Sequence, residues 1–173
     1  MKLLRLLLVC FLVLLLGSCK RSALAPYGPV FEAIFKTDTS LFRGTSLGTA
    51  KAVVKQLETV GLKEENQDDG VDYLFYELKT DSAVSYTVAY YFPDQHLNSI
   101  EADFYLENEP RGAALFSTFK AYFDSRFGPS TQEGDFFNWV TVIHGKKIEI
   151  SLADESPTYR KGKLTLDIHA FEE

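Results

Sequence analysis

Residues 84 to 90 read Val-Ser-Tyr-Thr-Val-Ala-Tyr, with a large apolar side chain at every second position. That period puts one set of side chains on one face of a strand and the intervening set on the other. The same rhythm returns at Leu74, Tyr76 and Leu78, at Ile100, Ala102, Phe104 and Leu106, at Ile148, Ile150 and Leu152, and at Leu164, Leu166 and Ile168. A one-residue slip in pairing would turn each apolar set into water, so the pattern constrains register as well as faces. Alternation of this kind belongs to antiparallel sheets with one covered and one wet face.

Six strand-like runs carry it: Val71 to Lys79, Ala83 to Phe92, Leu97 to Leu106, Phe136 to Ile143, Lys146 to Leu152 and Lys163 to Phe171. Turn-rich breaks at Thr80-Asp81-Ser82 and Pro93-Asp94-Gln95 separate the first three. Before them, Leu47, Ala50, Val53, Val54, Leu57 and Val60 recur at helical spacing, and Thr45 or Ser46 is placed to cap that helix, with Gly44 at a turn. Before the second three, Leu115, Phe116, Phe119, Tyr122, Phe123 and Phe127 do the same and stop at Gly128-Pro129. Each helix follows an Arg-Gly pair, Arg43-Gly44 and Arg111-Gly112. The expected fold is α+β, a tandem repeat of helix plus three antiparallel strands over residues 39–107 and 108–173, with the helices on one sheet face. Residues 30–36 are compatible with an edge strand or a helical turn.

The N-terminus is built differently. Lys2 and Arg5 precede an apolar run of eleven residues, Leu6 to Leu16. Eleven residues span about 16 Å as a helix, short of a bilayer core near 30 Å, so residues 1–18 read as a secretion signal. The run closes on Leu16-Gly17-Ser18-Cys19, which resembles the lipobox of bacterial lipoproteins. That resemblance implies cleavage before Cys19, lipidation of its sulfur and acylation of its amine. No cysteine follows Cys19, so neither an intrachain disulfide nor a thiol metal cluster is expected. Residues 19–38 hold the lipidated cysteine and a tether. Lys20, where the same class would carry Asp for inner-membrane retention, points to the periplasmic side of the outer membrane.

Removal of Lys2 and Arg5 with the leader takes the formal charge from −6 to −8. Such a balance disfavours nucleic acid, which is held through clustered Lys and Arg. Apolar residues at 46% and charged residues at 24% exclude a disordered chain.

The order Phe42-Arg43-Gly44-Thr45-Ser46, Val53-Val54, Leu57, Tyr73-Leu74-Phe75-Tyr76, Tyr86 to Phe92, then Leu97-Asn98-Ser99-Ile100 is similar to outer-membrane lipoproteins of the BamE (SmpA/OmlA) type. Those usually end their helix in Leu-Gly-x-Pro; here the first copy has Leu57-Glu58-Thr59-Val60, and only the second keeps Phe127-Gly128-Pro129. In tandem, the unit resembles the β-lactamase-inhibitor-protein fold, whose concave sheet face grips another protein. Both resemblances imply a binding protein and not an enzyme.

Motifs for chemistry are sparse. Gly44-Thr45-Ser46-Leu47-Gly48 matches the G-x-S-x-G elbow, which needs a preceding buried strand and a nearby His and carboxylate. Glu101 and Asp103 share a face about 6.6 Å apart, a spacing open to acid–base work or to a hard cation but commoner on a solvated face. Asp68-Asp69-Gly70 lacks the acidic twelfth residue of a calcium loop, where Tyr76 stands. His96, His144 and His169 have no ligand spacing, and no cofactor motif occurs.

The aromatic inventory remains. Tyr73, Phe75, Tyr91, Tyr105 and Phe171 fall on the expected wet face, interleaved with Glu101, Asp103, Asp167 and His169. Aromatics in a polar setting are the usual makeup of a protein-binding patch. These nine residues are the expected partner site, the partner an envelope protein. Two alternatives stay open: residues 30–42 cover that face as a second layer, or the face takes a small ligand, lipid or glycan. Trp139 is ambiguous, because both faces of its strand are apolar.

Overall fold

The computed structural model describes residues 22–68, 70–80 and 84–171; the leader, Cys19, the start of the expected tether, Asp69, residues 81–83 and residues 172–173 lie outside them. Eight strands form one antiparallel sheet: β1 (Leu62–Asp68), β2 (Val71–Lys79), β3 (Val84–Phe92), β4 (Ser99–Leu106), β5 (Thr131–Glu133), β6 (Phe136–Ile143), β7 (Lys146–Asp154) and β8 (Gly162–Ala170). Their spatial order is β1-β2-β3-β4-β8-β7-β6-β5. Two four-strand meanders thus meet edge to edge where β4 pairs β8, from Ser99 opposite His169 to Leu106 opposite Gly162.

Each half has four strands where sequence gave three. The extra ones, β1 and β5, are the two sheet edges. Lys63, Glu64, Glu65, Asn66 and Gln67 supply no apolar alternation, because an edge strand of this kind buries little on either face and its charges discourage further pairing.

Every residue assigned to the covered face by its period-2 position is buried, from Leu74 through Ile168. The helices lie on that side. α1 (Pro29–Phe35), left undecided by the sequence, opens with Pro29 after Gly28 and buries Phe31, Ile34 and Phe35. α2 (Lys51–Leu57) is half the expected length: it starts five residues after Ser46, has no side-chain cap and buries only Val54. Thr45 Oγ1 instead donates to Phe42 O within a tight turn, so neither Thr45 nor Ser46 caps the helix. α3 (Glu109–Phe127) matches its periodicity; Asn108 caps it by accepting from Arg111 N, and Gly128 ends it at φ 89°. A short α4 (Ser156–Tyr159) precedes β8.

The core is aromatic. Phe31 stacks on Phe35 at 4.3 Å and meets Phe119 edge-on at 5.2 Å; Phe104 reaches Phe119 from the sheet at 5.1 Å. Trp139 settles on this side, 5.1 Å from Phe123, with its Nε1 donating to Asp124 Oδ1 at 3.0 Å. Residues 30–42 therefore pack beside α3 on the sheet's covered side, and the second-layer alternative falls: Phe31, Phe35 and Phe42 are apolar on the side where Phe119 and Phe123 already wait.

The two Arg-Gly pairs occupy unlike positions. Arg43 and Gly44 sit in the Phe42–Thr45 turn at φ 51° and 84°, with the guanidinium buried. Arg111 and Gly112 lie in the first turn of α3, where Arg111 is exposed and Gly112 abuts Gly162.

Candidate functional site

The opposite sheet face carries no helix or loop layer among the described residues. Two open troughs run along it, about 420 and 520 Å³ in volume, and both are lined by Glu101 and Asp167. The first is walled by Tyr73, Phe75 and Tyr91 with Glu64, Asp103 and Thr165; the second by Glu133, Phe136, Asn138, Ser151 and His169.

Strand pairing positions these groups. β4 sets Glu101 directly opposite Asp167 on β8 and Asp103 opposite Thr165. β3 brings Tyr91 alongside, and its hydroxyl donates to Glu101 Oε2 at 2.9 Å. On the outer side Tyr73 donates to Glu64 Oε1 at 2.5 Å. Asp103 is neutralised by Lys163, whose ammonium also lies 3.5 Å from Glu155 and whose charged form these carboxylates hold against the cost of burial. The Asp167 carboxylate has no hydrogen bond or ion pair with any described residue. Burial pushes its pKa up from 3.8 to about 6, with further contributions from Glu101 and then Asp103.

All nine sequence-selected residues of the face lie on the uncovered side, and six of them (Tyr73, Phe75, Tyr91, Glu101, Asp103 and Asp167) line one trough. His169 lines the second, with its Nε2 3.5 Å from Glu149. Tyr105 and Phe171 stand at opposite ends: Lys163 lies 5.1 Å from the Tyr105 ring and Lys147 4.4 Å over the Phe171 ring. Cys19 lies outside the described residues. No family model matches the chain, and no curated protein or solved structure was found to be similar to it. The site is therefore read from its own geometry.

Sequence reasoning missed Glu64, Glu133 and Lys163 on this face. The first two sit on the strands without alternation, and Lys163 opens the run read from the sequence, where a lysine reads as a solvated end, although β8 begins at Gly162 and Lys163 is buried. It also missed Asn138, whose Oδ1 is buried without a hydrogen-bond partner among the described residues.

A second polar centre lies on the covered side. Arg43 donates to both Glu58 oxygens, at 2.5 and 2.8 Å, to Ile34 O at 3.1 Å and to the Tyr86 hydroxyl. Tyr90 and Lys36 donate to the same carboxylate at 2.7 and 2.8 Å. Burial alone would raise the Glu58 pKa, but the hydrogen bonds from Arg43, Lys36 and Tyr90 outweigh it and hold it below the ordinary carboxylate range. Every group in the centre has a partner, so it clamps the 34–58 segment to β3 and offers no free valence.

Ser46 Oγ takes the Leu41 amide at 3.3 Å, with no histidine or carboxylate bonded to it among the described residues. The described residues contain no group of three or more His, Cys, Asp or Glu arranged to hold a metal ion, and no helix long and apolar enough to cross a membrane.

Proposed function

We propose that the protein is a lipid-anchored, non-enzymatic binding module on the periplasmic side of the outer membrane, and that its uncovered sheet face holds another envelope protein. One observation carries the reading: the eight-stranded sheet has one face without a covering layer among the described residues, and that face gathers Tyr73, Phe75, Tyr91 and Phe136 around a polar centre. Large aromatics beside satisfied and unsatisfied polar groups are what protein interfaces use as anchors. The anchor is Cys19, within a sequence resembling a lipobox; of the tether expected over residues 19–38, the part from Leu24 onward is folded into the domain, with Leu24, Phe31, Ile34 and Phe35 in its core. The two meanders are tandem copies of one helix-plus-strands unit, a reading favoured by a strand order that reads the same outward in both directions from the β4–β8 junction. That arrangement agrees with the resemblance to BamE-type lipoproteins and to the tandem inhibitor fold, in which one sheet face is the gripping surface.

The test is crosslinking of the lipidated protein in its native envelope, with Phe75→Arg and Tyr105→Ala alongside. A stoichiometric partner lost in both variants, while the lone Trp139 still reports a folded core, supports the reading. A partner retained by both overturns it. Cys19→Ser should abolish incorporation of labelled palmitate and release the protein from the membrane fraction; unchanged labelling would overturn the anchor.

A further inference from the structure

We infer that the uncovered face takes a basic segment of its partner protein, with a lysine or arginine side chain seated between Glu101 and Asp167. This rests on the protein-binding reading and adds the chemistry of what is bound.

Charge complementarity carries it. Glu101 and Asp167 are direct cross-strand neighbours, and like charges so placed repel in the free protein. Asp103 beside them has Lys163. Glu101, by contrast, receives only the neutral Tyr91 hydroxyl among the described residues, and the Asp167 carboxylate receives nothing. Glu64 on the far wall of the first trough and Glu133 in the second add to the same sign. The cations nearest the troughs are already engaged, Lys163 with Asp103 and Lys147 over the Phe171 ring, while Lys63 and Lys79 stand away from Glu101 and Asp167 at the Tyr105 end of the face, Lys63 paired with Glu77 at 3.2 Å.

Competing occupants fit less well. An anionic segment would add to the repulsion, and an apolar one would strip water from two carboxylates without replacing their hydrogen bonds. A lysine or arginine head relieves the repulsion while its aliphatic stem lies along Tyr91 and Phe75, and an arginine plane also stacks on those rings.

The probe is a set of three fluorescent peptides of one length, each with a central Trp flanked by Arg, Gln or Glu, titrated into the full lipidated protein in neutral detergent. The Arg peptide is expected to bind about tenfold tighter than its Gln twin, a difference of about 1.4 kcal/mol. Raising the salt should erode most of that advantage. Asp167→Asn or Glu101→Gln should remove it, whereas Glu107→Gln, an exposed carboxylate beyond the end of β4, should leave it intact. Equal binding of the Arg and Gln peptides, no binding of the Arg peptide, or an advantage that survives both trough variants overturns the inference. If that happens while Phe75→Arg still releases the envelope partner, the basic-segment inference falls and the protein-binding reading stands. If Phe75→Arg and Tyr105→Ala retain the partner, the protein-binding reading itself falls.

Discussion

Replacing Asp167 by Asn should make the free protein more stable, because the native side chain is held in its charged form against its surroundings. The folded-state pKa of about 6 stands above the value of 3.8 for an unperturbed aspartate. The folded chain therefore binds more protons than the unfolded chain between those values, and stability falls as pH rises through that window. A displacement of this size corresponds to roughly 3 kcal/mol at full weight. The carboxylate lines an open trough, so solvent screening reduces this to about 1–1.5 kcal/mol at pH 7.5. For a chain of this size each kcal/mol moves Tm by about 2–4 °C.

The assay is urea unfolding followed by the fluorescence of Trp139, the single tryptophan, which is buried against Phe123 and loses that contact when the core opens. Asp167→Asn should raise the midpoint at pH 7.5 and lose its advantage near pH 4, where the wild-type group is protonated in the folded state. Glu101→Gln should act in the same direction, and the double variant should gain less than the sum, since both remove one repulsion. Loss of stability at pH 7.5, or a gain unchanged at pH 4, would refute the reasoning.

Arg43→Met should cost about 3–5 kcal/mol in the same assay, because Glu58 is left buried with one of its strongest partners gone; Arg43→Met with Glu58→Leu should recover the larger part. Glu58 titrates in the opposite sense to Asp167: its pKa is depressed, so its contribution is complete above the unperturbed 4.5 and is lost as pH falls below that. Glu58→Gln should consequently flatten the acid limb of the stability profile, measured by urea midpoints from pH 5 to 3. Gly112→Ala should cost about 1–3 kcal/mol by overpacking, since its Cβ would stand 2.9 Å from the Gly162 Cα on an adjoining backbone, a loss to be read from the thermal midpoint.

The sequence carried the faces of the sheet and less of its extent. Val84, Tyr86, Val88 and Tyr90 against Thr87 and Tyr91 separate cleanly, because a half-buried strand writes its burial into every second residue. β1 and β5 bury too little to leave such a mark, so a third and a fourth strand per half could not be told apart. The Leu47–Val60 periodicity overstated its helix: Val53 is 42% and Val60 69% exposed, and Leu47 packs on the core from the turn before α2. Arg43 looked like the marker of a repeat. Its partner lies fifteen residues on, and a buried pairing between two charged residues has no local signature. The nine residues of the open face were legible because alternation places a side chain without any need to know its partner. The pairing of Lys163 with Asp103, and the isolation of Asp167, needed the β4–β8 register, which joins residues about sixty positions apart.

The two sides of the sheet treat polar groups in opposite ways, and the contrast locates function better than composition does. On the covered side even a buried arginine and glutamate are closed into a complete set of bonds with Tyr86, Tyr90 and Lys36. On the open side Asp167 faces Glu101 with no hydrogen bond or ion pair of its own among the described residues, and Asn138 keeps a buried oxygen without a donor among them. A chain that satisfies its deepest charges so completely has no folding reason to leave these two groups unmet, on β8 and on β6 with only β7 between them. Local violations of otherwise consistent design collect where a protein must meet something else. Their position fits that view, since both line the trough next to Phe136 and His169, on the half of the sheet that α3 packs against from behind. The repulsion that Asp167→Asn would relieve in isolation is the same interaction that a bound cation would relieve in the complex. A variant that is more stable and binds less is therefore the joint signature to expect; stability and binding moving together would point to a residue that merely supports the fold.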